Sequence, residues 1–233
     1  MRFALLPALA ALLVAPACGK QVPSCTVPAD LPRPMLEGPT IDQPRRVLPI
    51  VGYTLALSWS PQYCASRSTS PQDRIQCGGT VGHFGFTLHG LWPDGKGVQW
   101  PQYCRATRLV SEKLIRESLC STPSPQLIQH EWEKHGTCMV KTPAEYFDRS
   151  GALYRALSFP DMAELHGRTM TVADFQKSFA EANEGMRADQ MRLGVTKDGW
   201  LEEVRICLNK RFARRSCPAG QDGAAPQSIV RIR

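Results

Sequence analysis

The sequence predicts an α+β fold, as one disulfide-stabilised domain from about residue 50 to residue 233. Three observations carry this expectation. Strand-like runs with a period of two are separated by longer segments of helical spacing, several connections are compatible with hairpins, and nine cysteines supply a disulfide framework. The chain has 233 residues, 42% apolar and 8% aromatic, which is ordinary globular composition and excludes a disordered tail. Its 28 basic residues against 21 acidic ones give a formal charge of +7, a field that attracts nucleic acid and an anionic cell envelope alike.

Residues 1–17 have the features of a secretory signal peptide: Arg2 in a charged start, an Ala/Leu-rich core through Val14, and Ala15-Pro16-Ala17 as a small-residue cleavage site. Cleavage there leaves Cys18 first, the position acylated in bacterial lipoproteins, although Ala15 stands where that pattern usually has leucine. A lipid anchor at Cys18 and an ordinary signal peptide both stay open. Either way the chain is expected to be exported, to the periplasm or beyond. No apolar run after the leader approaches the ~18 residues needed to cross a bilayer. Residues 18–49 are rich in proline, as in Leu31-Pro32-Arg33-Pro34 and Gly38-Pro39, and read as an extended linker or stalk.

The domain opens with a strand over 51–60, where Val51, Tyr53, Leu55, Leu57 and Trp59 alternate with small or polar residues. Polar residues 66–79 make a loop between Cys64 and Cys77. In a second strand over 84–89, Phe84, Phe86 and Leu88 share one face, so His89 points from the other. Helices are expected over 109–119, 125–135, 144–157 and 172–183, the last opened by Thr171 with Asp174 three residues on, an N-cap arrangement. Strands follow over 199–208 and 228–232. Among the cysteines Cys18 is the natural odd one. The other eight, Cys25, Cys64, Cys77, Cys104, Cys120, Cys138, Cys207 and Cys217, can pair in many ways, and without a C-x-x-C pair a structural zinc site is not expected.

Two segments carry chemistry: Phe86-Thr87-Leu88-His89-Gly90-Leu91-Trp92-Pro93-Asp94-Gly95 and His130-Glu131-Trp132-Glu133-Lys134-His135-Gly136-Thr137-Cys138. On a helix, Glu131 shares a face with His135, four residues on, and with Lys134, three on, with His130 at the flank. One face then presents an acid, a base and a fixed cation. A zinc-protease pattern is excluded, because His130 and His135 lie five apart, about 140° around a helix, and Lys134 would oppose a metal ion. A charged, solvated helix face would explain the second segment alone. It does not explain the conjunction with His89 beside Trp92 and Asp94 on a basic, exported chain. Two imidazoles of ordinary pKa near 6.5 can divide general base and general acid duties around one phosphodiester. Lysine and protonated histidine can hold the charge that builds on its oxygens.

Both segments resemble the two signature active-site segments of the ribonuclease T2 family. The resemblance extends to Leu55-Ala56-Leu57-Ser58-Trp59 with Cys64, to Tyr103-Cys104 and to Val204 through Cys217, covering about residues 50 to 220. It implies a central antiparallel sheet packed by helices. It implies that His89 is the general acid toward the departing 5′-oxygen, that His135 is the general base on the 2′-hydroxyl, and that Glu131 assists at the crowded phosphorus. Lys134 corresponds to the cationic partner of that acid and His130 to a phosphate-binding histidine, both on the substrate-binding side of the site. Trp92 and Asp94 correspond to positions that hold a base, by stacking and by hydrogen bonding, and Trp100 falls near an aromatic position of that pocket. Bridges Cys64–Cys77, Cys104–Cys138 and Cys207–Cys217 are implied as well; the resemblance implies no partner for Cys25 or Cys120, and a bridge between them stays open.

The implied activity is that of a metal-independent endoribonuclease acting on single-stranded RNA, with a 2′,3′-cyclic phosphate and then a 3′-phosphate as products and no cofactor. A monomer is the default for a disulfide-linked exported enzyme of this size. The strongest rival is a catalytically inactive exported protein that binds RNA or another polyanion. It gives no chemical reason to keep His89, Glu131 and His135 together. A structural or adhesion domain on a stalk leaves both signatures unexplained. His83 and His166 read as structural or surface residues.

Overall fold

Alternation of apolar with small polar side chains makes residues 52–59 the strand around which the main sheet is built. The computed structural model describes residues 24–220 and 223–233; the leader and Cys18 lie outside the described residues. Among them the strands are β1 (Gly52–Trp59), β2 (Phe86–Asp94), β3 (Thr169–Thr171), β4 (Met191–Val195), β5 (Leu201–Leu208) and β6 (Ile229–Arg231). The main sheet has the order β2-β1-β5-β4 with every neighbour antiparallel, and β3 pairs with β6 in a small second sheet.

Each face of the main sheet has its own purpose. Leu55, Leu57 and Trp59 of β1, Leu88 and Leu91 of β2, Leu193 of β4 and Val204 and Ile206 of β5 are buried in one apolar core. The opposite face carries Thr54, Ala56 and Ser58, paired across the strands with Cys207, Arg205 and Glu203. The helices are α1 (Ser60–Cys64), α2 (Arg74–Cys77), α3 (Glu112–Ser118), α4 (Pro125–Glu131), α5 (Thr137–Met139), α6 (Pro143–Arg155), α7 (Met162–Leu165) and α8 (Val172–Glu181). They complete the core with Ile128, Tyr146, Tyr154, Phe175 and Phe179. Their starts follow local chemistry. Ser124 accepts the Leu127 N–H at 3.2 Å ahead of Pro125, and Thr171 and Asp174 form the reciprocal cap that their spacing predicts.

Several elements differ from the sequence expectation: α1, α7 and β3 were not foreseen, α2 lies in the segment expected as a loop over 66–79, and the second strand begins at Phe86 rather than at 84. β2 runs on through Trp92-Pro93-Asp94, opposite Gly52 to Thr54, because it is an edge strand and tolerates a proline. The segment expected as one helix over 125–135 is α4 followed by a π turn, Trp132–Gly136, and then α5. The helix expected from 109 begins at Glu112, after Ser111 caps it. β4 was not foreseen, since Met191-Arg192-Leu193-Gly194-Val195 is short and interrupted by glycine.

Residues 24–49 are extended, but they do not stand off as a stalk. Proline keeps this strap from forming helix or sheet of its own, and so leaves its carbonyls free for donors on the domain. Arg116 donates to the carbonyls of Pro28 and Ala29, Gln102 Nε2 to that of Pro44 at 2.8 Å, and the backbones of Arg46 and Gln102 exchange two hydrogen bonds. The four disulfides are Cys25–Cys120, Cys64–Cys77, Cys104–Cys138 and Cys207–Cys217.

The first bridge spans 95 residues of sequence and anchors the start of the strap. Chain entropy for such a loop sets an upper figure of about 4–5 kcal/mol. The Cys25→Ser/Cys120→Ser double variant is expected to lose stability up to that amount in urea unfolding, and its strap is expected to become the first site cut in limited proteolysis while the domain stays folded.

Candidate active site

The polar face of the sheet and the end of α4 bring the predicted residues together. Ala56 pairs with Gly90 and Leu57 with Leu88, so His89 is the extra residue of a bulge in β2. A bulge re-aims one side chain without breaking the sheet. Its Nδ1 lies 2.7 Å from Glu203 Oε1 and 3.4 Å from Ser58 Oγ, and its Nε2 lies 3.6 Å from Glu131 Oε1. The bulge also resets the alternation, so that Leu88 and Leu91 both reach the core while His89 and Trp92 reach the site.

Glu131, the last residue of α4, is buried. Its Oε2 accepts from Trp92 Nε1 at 2.9 Å and has the Tyr146 hydroxyl at 3.4 Å; that hydroxyl also accepts the Leu91 N–H at 3.0 Å. The carboxylate lies directly over Gly90, where a Cβ would come within 1.8 Å of Oε2. Glycine after His89 is therefore a requirement of close approach.

His135 sits in the π turn, buried, with its Nδ1 making no hydrogen bond. The Trp92 indole lies between the two imidazoles, tilted 31° to His135 at 5.6 Å and edge-on to His89 at 5.1 Å. A π turn carries one residue more than an α turn, so the face drawn for a regular helix does not hold here. The turn is held from outside: the Lys134 carbonyl accepts the Tyr103 N–H at 2.8 Å, and Cys104 is bridged to Cys138.

The two histidines have opposite electrostatics. Burial works against a charge on His89, but the Glu203 hydrogen bond and the carboxylates of Glu131 and Glu203 outweigh it and raise the pKa. Burial, then the charges of Lys134, His130 and His89, hold His135 well below its ordinary value. Burial raises Glu131, against the nearby cations and the Trp92 hydrogen bond, and lowers Lys134.

A cavity of about 310 Å³ opens beside His135, lined by Thr54, Trp92, Asp94, Trp100, Lys134 and Arg205. A groove of about 570 Å³ lies on the side of His89, with Ser58, Tyr63, Glu203 and Arg205 in its walls, and Trp92 and Arg205 line both. Three sequence expectations need adjustment in placement. Trp92 spends its N–H on Glu131 and lies amid the imidazoles, although its ring still faces both spaces. Asp94 accepts from Thr54 Oγ1 at 2.9 Å and lies 3.5 Å from an Arg215 nitrogen, so its hydrogen-bonding capacity is partly used internally. His130 meets Glu37 of the strap, Nδ1 to Oε2 at 2.5 Å. Although burial opposes it, the hydrogen bonds from His130 and Gln126 lower the Glu37 pKa.

Sequence reasoning missed Glu37, Glu203 and Arg205. Glu203 and Arg205 alternate with Val204 and Ile206, so period two puts them on the polar face; which strand that face would meet was not readable. Glu37 carried no signal. Among the described residues no group of three or more His, Cys, Asp or Glu is placed to hold a metal ion, and no helix is long and apolar enough to cross a membrane.

A Gly90→Ala substitution is expected to push Glu131 off its partners, with about 1–3 kcal/mol lost in thermal or urea unfolding from overpacking and with a loss of activity larger than that stability change explains.

The Ribonuclease T2 family model matches residues 51–217. A ribonuclease of Aeromonas hydrophila is 34% identical over 165 residues, covering 68% of this chain and 71% of that protein. A probable ribonuclease of Haemophilus influenzae is 34% identical over 124 residues, 48% of this chain, and the match spans only 45% of that protein's length. Among solved structures, an RNase-related protein from Calystegia sepium superposes with a TM-score of 0.60 at 21% identity, over 78% of this chain and 97% of that one, a likeness of fold. The chain belongs to the ribonuclease T2 family.

Proposed function

We propose that this ribonuclease T2 family member is an endoribonuclease that cleaves single-stranded RNA by metal-independent transphosphorylation, with His135 as general base, His89 as general acid and Glu131 between them. The observation that carries the reading is the pair of imidazoles on either side of Trp92, one in surroundings that favour the charged ring and one in surroundings that favour the neutral ring.

With Nδ1 of His135 buried, Nε2 is the nitrogen open to substrate. It takes the proton of the RNA's 2′-hydroxyl as that oxygen attacks the neighbouring phosphorus. The bond from phosphorus to the 5′-oxygen breaks, and that oxygen leaves with the proton of His89 Nε2. The product is a 2′,3′-cyclic phosphate. In the second step the roles reverse: His89, now neutral, takes a proton from water, and His135 returns one to the 2′-oxygen, giving a 3′-phosphate. Lys134 and Arg205 line the space where phosphate charge develops. A phosphate that reaches His130 has to take the place that the Glu37 carboxylate holds. DNA lacks the 2′-oxygen and resists the first step. Base, acid and charge are all supplied by side chains, so EDTA is not expected to inhibit. Four disulfides support export to an oxidising compartment.

The test is digestion of a short RNA and its DNA counterpart in EDTA, with product termini read by mass spectrometry. Cyclic phosphate from RNA alone, reduced by about 10²-fold or more in His89→Ala and in His135→Ala, is the expected result. No cleavage by the oxidised, folded protein overturns the reading in favour of an RNA-binding protein.

The pH profile follows from the same surroundings. Activity needs His135 neutral, which its lowered pKa allows well into acid, and His89 charged, which its raised pKa preserves past the usual histidine range. A bell in kcat/KM is expected with its acid limb displaced below and its alkaline limb above the ordinary value near 6.5.

A further inference from the structure

Glu203 lies outside both signature segments, in the second strand from the sheet edge, between β1 and β4. It is 8% exposed, and a carboxylate so placed needs partners for both oxygens. It has them: Oε1 lies 2.7 Å from His89 Nδ1, and Oε2 accepts from Arg205 Nε at 2.5 Å. Opposite it on β4 is Gly194. On the other side it pairs with Ser58, whose hydroxyl is also near His89 Nδ1.

We infer that Glu203 is the positioning carboxylate of the general acid, holding His89 by its Nδ1–H so that the transferable proton sits on Nε2. The inference rests on the transphosphorylation proposed above and adds to it a residue that touches neither substrate nor reacting atoms. An ionised carboxylate only accepts, so the nitrogen it binds must carry hydrogen. Nε2 then gains and loses the second proton while Nδ1–H and the ring orientation stay fixed. That suits both steps: the ring donates from Nε2 to the 5′-oxygen and accepts there from water. Arg205 fixes the far oxygen of Glu203, as its guanidinium leans over Trp92 at 5.8 Å.

The groups facing His89 are Glu131 from α4, Glu203 and Arg205 from β5, Ser58 from β1, Trp92 from β2 and His135 from the π turn. The two carboxylates favour the charged ring; Arg205 and burial oppose it. Removing Glu203's charge therefore lowers the His89 pKa. Activity that depends on protonated His89 then fails at a lower pH.

The experiment compares wild type, Glu203→Gln, Glu203→Ala and Glu203→Asp on two substrates: an RNA dinucleotide, and uridine 3′-nitrophenyl phosphate, whose leaving group departs without a proton. For Gln and Ala we expect kcat on the dinucleotide to fall by up to about 10²-fold with KM little changed. The alkaline limb should move to lower pH, turnover of the nitrophenyl ester should be nearly intact, and Asp should recover part of the loss. Equal losses on both substrates with an unmoved alkaline limb mean a merely structural role and overturn the assignment. Full activity of Glu203→Gln, where His89→Ala is inactive, overturns it too and leaves the reaction standing. A His89→Ala variant that is fully active on the dinucleotide overturns both.

Discussion

A carboxylate taken out of water sets the terms for this site. Glu131 ends α4 inside the protein, and isolated burial of its charge would be prohibitive. The neighbouring sequence meets part of the requirement. Trp92 donates to Oε2 and Tyr146 stands by it, while Oε1 makes no hydrogen bond and has the His89 ring at 3.6 Å. Gly90 exists as glycine because the carboxylate occupies the volume of its side chain. Tyr146 in turn ties α6 to the backbone of β2 at Leu91, so the sheet and two helices are registered around one acidic group. Removing the charge would leave donors without an acceptor at the junction of those elements.

Two irregularities of the fold stand on either side of this carboxylate. A bulge in β2 presents His89, and a π turn after α4 presents His135. Each is a departure from regular geometry at the place where a histidine proposed as catalytic leaves its element. Neither is left to support itself. The bulge is flanked by regular ladder on β1, and the π turn is clamped by the Tyr103 N–H and the Cys104–Cys138 bridge. Ladder hydrogen bonds on one side, and a backbone hydrogen bond with a disulfide on the other, hold the irregular pieces in place.

These irregularities mark where sequence reasoning worked and where it stopped. The period-two run from Val51 to Trp59, the Thr171 cap and the tracts around Phe175 and Tyr146 were legible because each rests on local spacing. His89, Glu131 and His135 were legible because their residue types recur in two characteristic segments. The bulge was not, since a one-residue register shift depends on the partner strand. The π turn was not, since a helical wheel assumes constant spacing. Glu203 was visible only as one acidic residue on a strand face; its meaning depends on β5 lying beside β1, opposite β2. The strap was read from its prolines as a spacer because composition reports backbone stiffness and not what the carbonyls will find. Once Arg116, Gln102 and Cys120 are in place, the stiffness makes docking less costly in entropy.

Charge is divided between the exterior and the site in a way that separates attraction from catalysis. The chain carries +7, yet its site holds four carboxylates, Glu37, Glu131, Glu133 and Glu203, within or beside the catalytic cluster. Long-range attraction of a polyanion depends on net charge and is weakened by salt over about 8–10 Å. The carboxylates act at 2.5–3.6 Å on partly buried histidines, well inside the distance over which salt screens. Each of the three that meet a histidine does so from a different element: the strap, α4 and β5. Glu131 and Glu203 favour the charged form of His89, burial and the nearby cations favour the neutral form of His135, and Lys134, Arg192 and Arg205 make the wall of the cavity positive. A basic surface alone would leave its imidazoles alike; carboxylates at one ring and burial beside cations at the other make the two different.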